Sequence, residues 1–247
     1  MSVDKLIYQA MTGAKALEQR QHALANNLAN ASTDGFRADL SAFRAVPVRA
    51  EGTATTRVFS LEATSGFETA TGPLRHTDNP LDMAVRGGGW FAVNTPDGQE
   101  RYTRNGSFMV GADGNLQTLS GLTVVGDGGA IAIPENGQIH VGSDGTVSAR
   151  VGDQAPVQLG RLKLVNPPPE DLIKQGNGLV ALKDDGVAPA DEGVTVAQGT
   201  LEGSNVNVVE SMIGMIALSR QFEMQMRMLQ TAEANDARAT SVLSHEG

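Results

Sequence analysis

The side chains that most often perform chemistry in proteins are sparse in this sequence and poorly spaced for it. The four histidines, His22, His76, His140 and His245, lie far apart and form no His-x-His or His-Glu-x-x-His metal motif. The absence of cysteine excludes disulfides, thiolate catalysis and cysteine-based zinc sites. We therefore predict that the chain binds no cofactor and no metal.

Carboxylates are the remaining candidates for catalysis. Asp113 and Asp144 each precede a glycine, and a hydrolase would need such carboxylates to converge in one cleft. The sequence gives no pairing between them, because Asp-Gly is chiefly a signal for a hairpin turn. Ser143 lies in "VGSDG", which lacks the Gly-x-Ser-x-Gly pattern of a nucleophile elbow. A hydrolase with scattered carboxylates stays as an alternative, but we predict that the chain is not an enzyme.

A more unusual stretch is "ANNLANASTDGFR", residues 25–37. Three asparagines, Asn26, Asn27 and Asn30, end a segment whose apolar pattern is otherwise helical. Asparagine weakens a helix interior because its amide competes for backbone hydrogen bonds. Gly35 is suited to the left-handed conformation that closes a helix or turn, and Phe36 after it is expected to be buried.

Two long helices are predicted at the ends of the chain. From Val3 to Ala31, apolar residues recur every seven positions, which indicates a narrow apolar stripe on a helix. A second helix is predicted from about Val208 to about Leu243, with Asn207 as its N-cap. The N-terminal stripe includes Leu17, Leu24 and Leu28, and the C-terminal stripe includes Met212, Met215, Ile216, Phe222, Met226 and Leu229.

The middle of the chain is predicted to be β-structure. Between about residues 70 and 200, Asp-Gly and Asn-Gly pairs separate short β-type runs such as "WFAVN" and "QIHVG", which favours antiparallel hairpins. The fold class predicted is α+β, with the two terminal helices pairing as a coiled-coil layer and a central, mainly antiparallel β-domain. The predicted domains are residues 1–37 with 205–247 (helical), 38–70 (extended connector) and 71–204 (β-rich).

Charge and hydropathy exclude several classes of function. The net charge of −9, with no local Lys/Arg cluster, argues against nucleic-acid binding. No apolar run approaches the 18 or more residues of a membrane span, so we predict no membrane insertion. Polar residues interrupt the start of the chain, which does not look like a cleaved secretory signal.

The apolar stripes of the two helices are narrow and interrupted. Gly13, Arg20 and Gln21 break the first stripe, and Ser219 and Arg220 break the second. A helix pair with so narrow a seam is weak alone and gains by packing into a larger assembly. The methionines crowded into the last helix suit contacts with several non-identical neighbours, although an ordinary core helix is the competing interpretation.

The "ANNLANASTDGFR" motif resembles the N-terminal signature of the bacterial flagellar rod, hook and hook-associated proteins. Residues 201–243, beginning "LEGSNVNVVESMIGMIALSRQ", resemble the terminal helix of the same family, and residues 77–121 resemble its rod-type β-domain. "LIYQAMTGAKALEQRQ" and the length of 247 residues favour the proximal-rod type. The resemblance thus covers most of the chain.

The resemblance implies a structural subunit of the proximal rod. Such subunits are exported by the flagellar type III apparatus without a cleaved signal, and they stack helically in the periplasm with copies of themselves and other rod proteins, forming a torque-transmitting shaft. It also implies that the three asparagines either bond across subunits or close the helix end, so that Asn27→Leu is expected to strengthen helix pairing but scramble its register. The subunit-interaction residues predicted are Leu17, Leu24, Asn26, Asn27, Leu28, Asn30, Gly35, Phe36, Met212, Met215, Ile216, Phe222, Met226 and Leu229.

Two further interpretations stay open. One is the distal rod protein of the same family. The other is a self-contained β-domain binding module on a helical stalk, which predicts a stable discrete oligomer in solution. A rod subunit instead predicts a monomer whose terminal segments order fully only on assembly.

Overall fold

The structure is a computed structural model that describes residues 3–47, 58–135 and 137–245. Within these ranges it contains two α-helices and eighteen short strands, which confirms the α+β fold class. The helices are α1 (Val3–Ala29) and α2 (Val208–His245). The strands are β1 (Asp39–Pro47), β2 (Val58–Phe67), β3 (Leu74–His76), β4 (Met83–Arg86), β5 (Trp90–Asn94), β6 (Glu100–Thr103), β7 (Phe108–Val110), β8 (Leu116–Thr118), β9 (Thr123–Gly126), β10 (Gly129–Ala130), β11 (Gly137–Val141), β12 (Thr146–Val151), β13 (Val157–Arg161), β14 (Leu164–Val165), β15 (Leu172–Lys174), β16 (Val180–Leu182), β17 (Thr195–Gln198) and β18 (Thr200–Glu202).

The chain divides into two compact units. The helical unit comprises Met1–Ala29, Asp39–Gly66 and Asn207–Gly247, and the β-rich unit comprises Asn30–Ala38 and Phe67–Val206. Strands β1 and β2, in the segment expected to be an extended connector, pair in a two-stranded sheet. The functional division into rod core, connector and β-domain stays a prediction.

In the helical unit, α1 and α2 pack against each other along glycines. A side chain at Gly13 would meet Gln225, and one at Gly214 would meet Leu24, so the helices approach closely at both points. As the residue number rises along α1, that of its partner falls along α2, and the two helices are therefore antiparallel. At 1.5 Å per residue, α1 is about 40 Å long and α2 about 57 Å. Asn207 caps α2, accepting a hydrogen bond from the Glu210 amide at 3.2 Å.

The β-rich unit is built from antiparallel pairs. Its largest sheet, within the described residues, has nine strands, with β15-β16-β6-β5-β9-β8-β7 as its main path and β10 and β14 at its sides. A second sheet has the order β11-β12-β13. The Asp-Gly turns fall where the sequence predicts hairpins: Gly98, with φ +76°, joins β5 to β6, and Gly114, with φ +77°, joins β7 to β8.

Two buried apolar clusters form the core of the β-rich unit. The larger surrounds Phe91 and Phe108, whose rings meet edge to face with centroids 5.1 Å apart. The smaller surrounds Trp90, Tyr102 and Phe67. Among the described residues, no helix combines the length and apolarity needed to cross a membrane.

Candidate functional site

The asparagines at the end of α1 make local hydrogen bonds. The Asn27 side chain, 5% exposed, accepts from the Asp39 amide at 2.7 Å and donates to the Asp39 carbonyl at 3.0 Å. Asn26 donates to the Asp39 carboxylate at 2.6 Å. Asn30 lies beyond the helix, where its side chain and its carbonyl accept bonds from Thr33. Asn26 and Asn27 thus converge on one residue of β1, while Asn30 shapes the turn that follows.

This geometry changes the result expected for Asn27→Leu. Leucine would remove both hydrogen bonds between the Asn27 side chain and the Asp39 backbone, each of which contributes about 0.5–1.5 kcal/mol. We therefore expect the helical unit to lose about 2 kcal/mol of stability, which thermal denaturation followed by circular dichroism at 222 nm would measure. An Asn27→Leu variant as stable as the natural chain would contradict this assignment.

The apolar stripe predicted on α2 is largely exposed. Ile216 is 57% exposed and Met212 is 49% exposed, whereas Leu218, outside the predicted stripe, is buried. Phe222 and Met226 are also exposed, and Met215 and Leu229 are partly buried. On α1, Leu17 is buried, and Leu24 and Leu28 are partly buried.

Part of this exposed stripe lines a groove of about 370 Å³ between the two helices. Its wall on α1 is Gln21, and its wall on α2 consists of Met212, Met215, Ile216 and Ser219. The structure therefore brings together three of the predicted α2 residues, while Phe222, Met226 and Leu229 lie farther along the helix. An open, apolar groove of this kind suits a hydrophobic partner.

Gly35 and Phe36 are fixed inside the β-rich unit. Gly35 has φ +72°, the left-handed conformation that the sequence predicts, and its amide donates to the Glu202 carbonyl at 2.7 Å. Phe36 is buried, and the Lys174 ammonium lies 3.8 Å from the centre of its ring. These two residues hold the start of the β-rich unit in place.

Next to Phe36 lies a buried ionic cluster that sequence reasoning missed. The Glu202 carboxylate, 1% exposed, lies 2.8 Å from the Arg37 guanidinium and 3.4 Å from that of Arg104. Both arginine side chains are only 2% exposed. Arg37 is the last residue of the asparagine-rich motif, but its partners are remote in sequence, so no local pattern points to them.

Both arginines of the cluster lie near the only tryptophan of the chain. The guanidinium carbons of Arg37 and Arg104 lie 5.9 Å and 5.7 Å from the centre of the Trp90 ring. Burial lowers the pKa of Arg37, and the Glu202 carboxylate opposes that shift. Burial likewise lowers the pKa of Arg104 to about 10, with Glu202 raising it and Arg37 lowering it. The two buried cations therefore share the Glu202 carboxylate as a counter-ion.

The carboxylates considered for catalysis each bond within their own turn. Asp113 accepts bonds from the Asn115 amide and side chain, and these bonds lower its pKa. Asp144 accepts from the Thr146 hydroxyl and amide, with the same effect on its pKa. Both residues serve as turn caps. In the part of the chain that the structure describes, no three His, Asp or Glu residues are grouped in a way that could hold a metal ion.

Three protein families match successive parts of the chain. Residues 7–37 match the family described as "Flagella basal body rod protein". Residues 84–149 match "Flagellar hook protein FlgE/F/G D1 domain", and residues 197–242 match "Flagellar basal body rod FlgEFG protein C-terminal". The first match includes the asparagines and Arg37, the second Trp90 and Arg104, and the third Glu202 and the exposed stripe of α2.

Individual relatives match over nearly the whole length. The "Flagellar basal-body rod protein FlgF" of Salmonella typhimurium strain LT2 is 43% identical, over 98% of this chain and 99% of its own length. The FlgF protein of Escherichia coli K12 has the same identity and coverage. A "Flagellar basal-body rod protein FlgG" from Buchnera aphidicola (subspecies Acyrthosiphon pisum) is 32% identical over 92% of this chain and 95% of its own.

Proposed function

The chain belongs to the FlgF-type family of flagellar basal-body rod proteins, and we therefore propose that it forms part of the proximal rod. It is a structural subunit of the rod. The FlgG-type distal rod protein, the alternative within the family, is less supported, because the Salmonella typhimurium and Escherichia coli FlgF proteins are 43% identical to this chain and the Buchnera aphidicola FlgG protein is 32% identical.

The observation that carries the proposal is the exposed apolar face of α2. A chain with a net charge of −9 keeps large apolar side chains in solvent on one helix, and such patches mark interaction sites. Several of them are methionines, whose flexible thioethers adapt to neighbours of different shape. The exposed residues of this face are Met212, Ile216, Phe222 and Met226, and the exposed Val209, Ile213, Met224 and Met228 extend the apolar surface around the helix.

This face is suited to open-ended stacking. An apolar strip on one subunit that packs against a different surface of the next makes a head-to-tail contact, and such contacts build a helical assembly when their rotation does not close a ring. In the proposed rod, copies of this chain and other rod proteins cover the strip in this way. The resulting shaft transmits torque through packed side chains.

The remaining parts of the proposal concern location and chemistry. We infer that the chain reaches the periplasmic rod through the flagellar type III export apparatus, without a cleaved signal. We also infer that it has no catalytic role, which is supported by the turn-capping bonds of Asp113 and Asp144. Its contribution is mechanical, and its partners are proteins.

Ile216→Asp tests the role of the exposed face. A carboxylate at a position buried on assembly costs about 3 kcal/mol or more, which weakens each contact by roughly a hundredfold. We expect a bacterium that carries only this variant to lose swimming in soft agar. The purified chain should keep its melting temperature, because Ile216 is 57% exposed before assembly.

Val157→Asp is the matched control. Val157 is 61% exposed on β13 of the β-rich unit, so the same carboxylate enters at a similarly exposed apolar position outside α2. This variant should swim normally. Normal swimming by Ile216→Asp would overturn the proposed face. A stable discrete oligomer of the natural chain in analytical ultracentrifugation would instead favour the stalked binding module.

A further inference from the structure

The side chain of Asn205 joins its own backbone segment to two other segments of the β-rich unit. Its amide oxygen accepts from the Ala38 amide at 2.7 Å. Its amide nitrogen donates to the Glu68 carbonyl at 3.1 Å and to the Ala70 carbonyl at 2.9 Å. Each of the three segments lies within a few residues of a point where the chain passes from one unit to the other.

The buried ionic cluster connects the same three segments. Arg37 pairs with Glu202 and donates to the Ala70 carbonyl at 2.5 Å. The Glu202 carboxylate also accepts from the Gly72 amide at 2.8 Å. Through its second oxygen it reaches Arg104, which anchors the cluster to the end of β6. One set of charges therefore connects the segment that enters the β-rich unit at Arg37, the middle segment at Ala70 and Gly72, and the segment that leaves the unit after Glu202.

Stability alone does not explain this cluster. Apolar residues of similar size often stabilise a protein as well as a buried ion pair, because desolvation offsets most of the attraction between the charges. Here two guanidinium groups share one carboxylate, and in the described residues neither arginine Nε atom has a hydrogen-bond partner. In some proteins such buried charges favour one geometry over its alternatives.

We propose that Arg37, Arg104, Glu202 and Asn205 form a junction latch, which closes only when the entering and leaving segments are both in place. If Glu202 leaves, two buried cations lose their counter-ion, and if Arg37 leaves, the Ala70 carbonyl and the Glu202 carboxylate each lose one of their partners. The four are positioning residues that couple these segments of the β-rich unit. The latch belongs to the isolated subunit, so its failure would leave the proposed rod function untouched.

The latch contains its own reporter. Trp90, the only tryptophan, is 6% exposed and lies near the guanidinium groups of Arg37 and Arg104. The Phe67 ring meets it edge to face, with the ring centres 5.7 Å apart. Its accessibility to acrylamide therefore reports opening of the cluster. Backbone amides report each segment separately, since those of Gly35, Ala38, Glu68, Gly72, Gly203 and Asn205 all donate hydrogen bonds within the junction.

The test is amide hydrogen exchange and acrylamide quenching on the full-length Glu202→Gln variant. Glutamine keeps the shape and an acceptor but removes the charge. We expect exchange at the junction amides of all three segments to rise together by at least about tenfold, and the quenching of Trp90 to increase. Exchange in β11, β12 and β13 should stay unchanged. Glu100→Gln is the control, because Glu100 forms a largely buried pair with Lys163, with the charged atoms 2.8 Å apart, outside the junction.

Two outcomes would overturn the latch. Faster exchange confined to the segment around Glu202 would show that the segments open independently. A uniform rise across the β-rich unit would show that the charge serves general stability. If Glu202→Gln does not fold, Asn205→Leu removes three hydrogen bonds without touching a charge, and it must produce the same joint opening for the proposal to stand.

Discussion

Replacing Glu202 with alanine is expected to lower the free energy of unfolding of the β-rich unit by about 3–5 kcal/mol. The carboxylate is 1% exposed and is the counter-ion of both Arg37 and Arg104. Its removal leaves two desolvated cations and takes the acceptor from the Gly72 amide.

Urea denaturation followed by Trp90 fluorescence measures this loss directly. Glu100→Ala is the comparison, because Glu100 pairs with only one cation, Lys163, and both side chains are slightly more exposed. We expect it to lose less than half as much stability as Glu202→Ala. A loss below about 1 kcal/mol for Glu202→Ala would mean that water reaches the arginines and that their pairing with Glu202 is weak.

The sequence predicts the secondary structure well where the local signal is strong. The seven-residue stripe and the absence of proline predict α1, and the Asp-Gly pairs predict hairpins such as that at Gly98. Both signals depend on residues close in sequence, so they can be recognised without knowledge of the tertiary fold. The family resemblance, carried by the asparagine-rich motif, is likewise a local signal.

The candidate site was less accessible to sequence reasoning. Periodicity identifies the apolar stripe of α2 but not its surroundings, and it gives no sign that Ile216 and Met212 stay in solvent while Leu218 is buried. The pairing of Arg37 with Glu202 joins opposite ends of the β-rich unit, and only the folded chain brings them together. Charged residues are normally exposed, so composition alone places both at the surface.

Gly35 is a position at which the sequence and the structure each supply part of the explanation. Sequence indicates that this glycine takes the left-handed conformation, and the structure gives φ +72°. Only the structure adds that a side chain here would overlap the backbone at Arg104 and Asn105. The glycine is therefore required twice, for its backbone angle and for the space it leaves.

Gly35→Ala is consequently expected to cost about 3 kcal/mol or more of unfolding free energy in the β-rich unit. The left-handed angle accounts for about 1–2 kcal/mol of this, and the displaced backbone accounts for the remainder. Because the Gly35 amide bonds the Glu202 carbonyl at 2.7 Å, the displacement also disturbs the cluster around Trp90. The tryptophan emission should therefore shift to the red even in the folded variant.

Gly98→Ala separates the two contributions. Gly98 has φ +76°, nearly the angle of Gly35, but nothing lies within 4 Å of an added side chain there. It should lose only the 1–2 kcal/mol or so of the strained angle and leave the tryptophan emission unchanged. Equal losses at the two glycines in urea titrations would mean that the backbone at Arg104 yields at little cost. The entry to the β-rich unit would then be held by its hydrogen bonds rather than by packing.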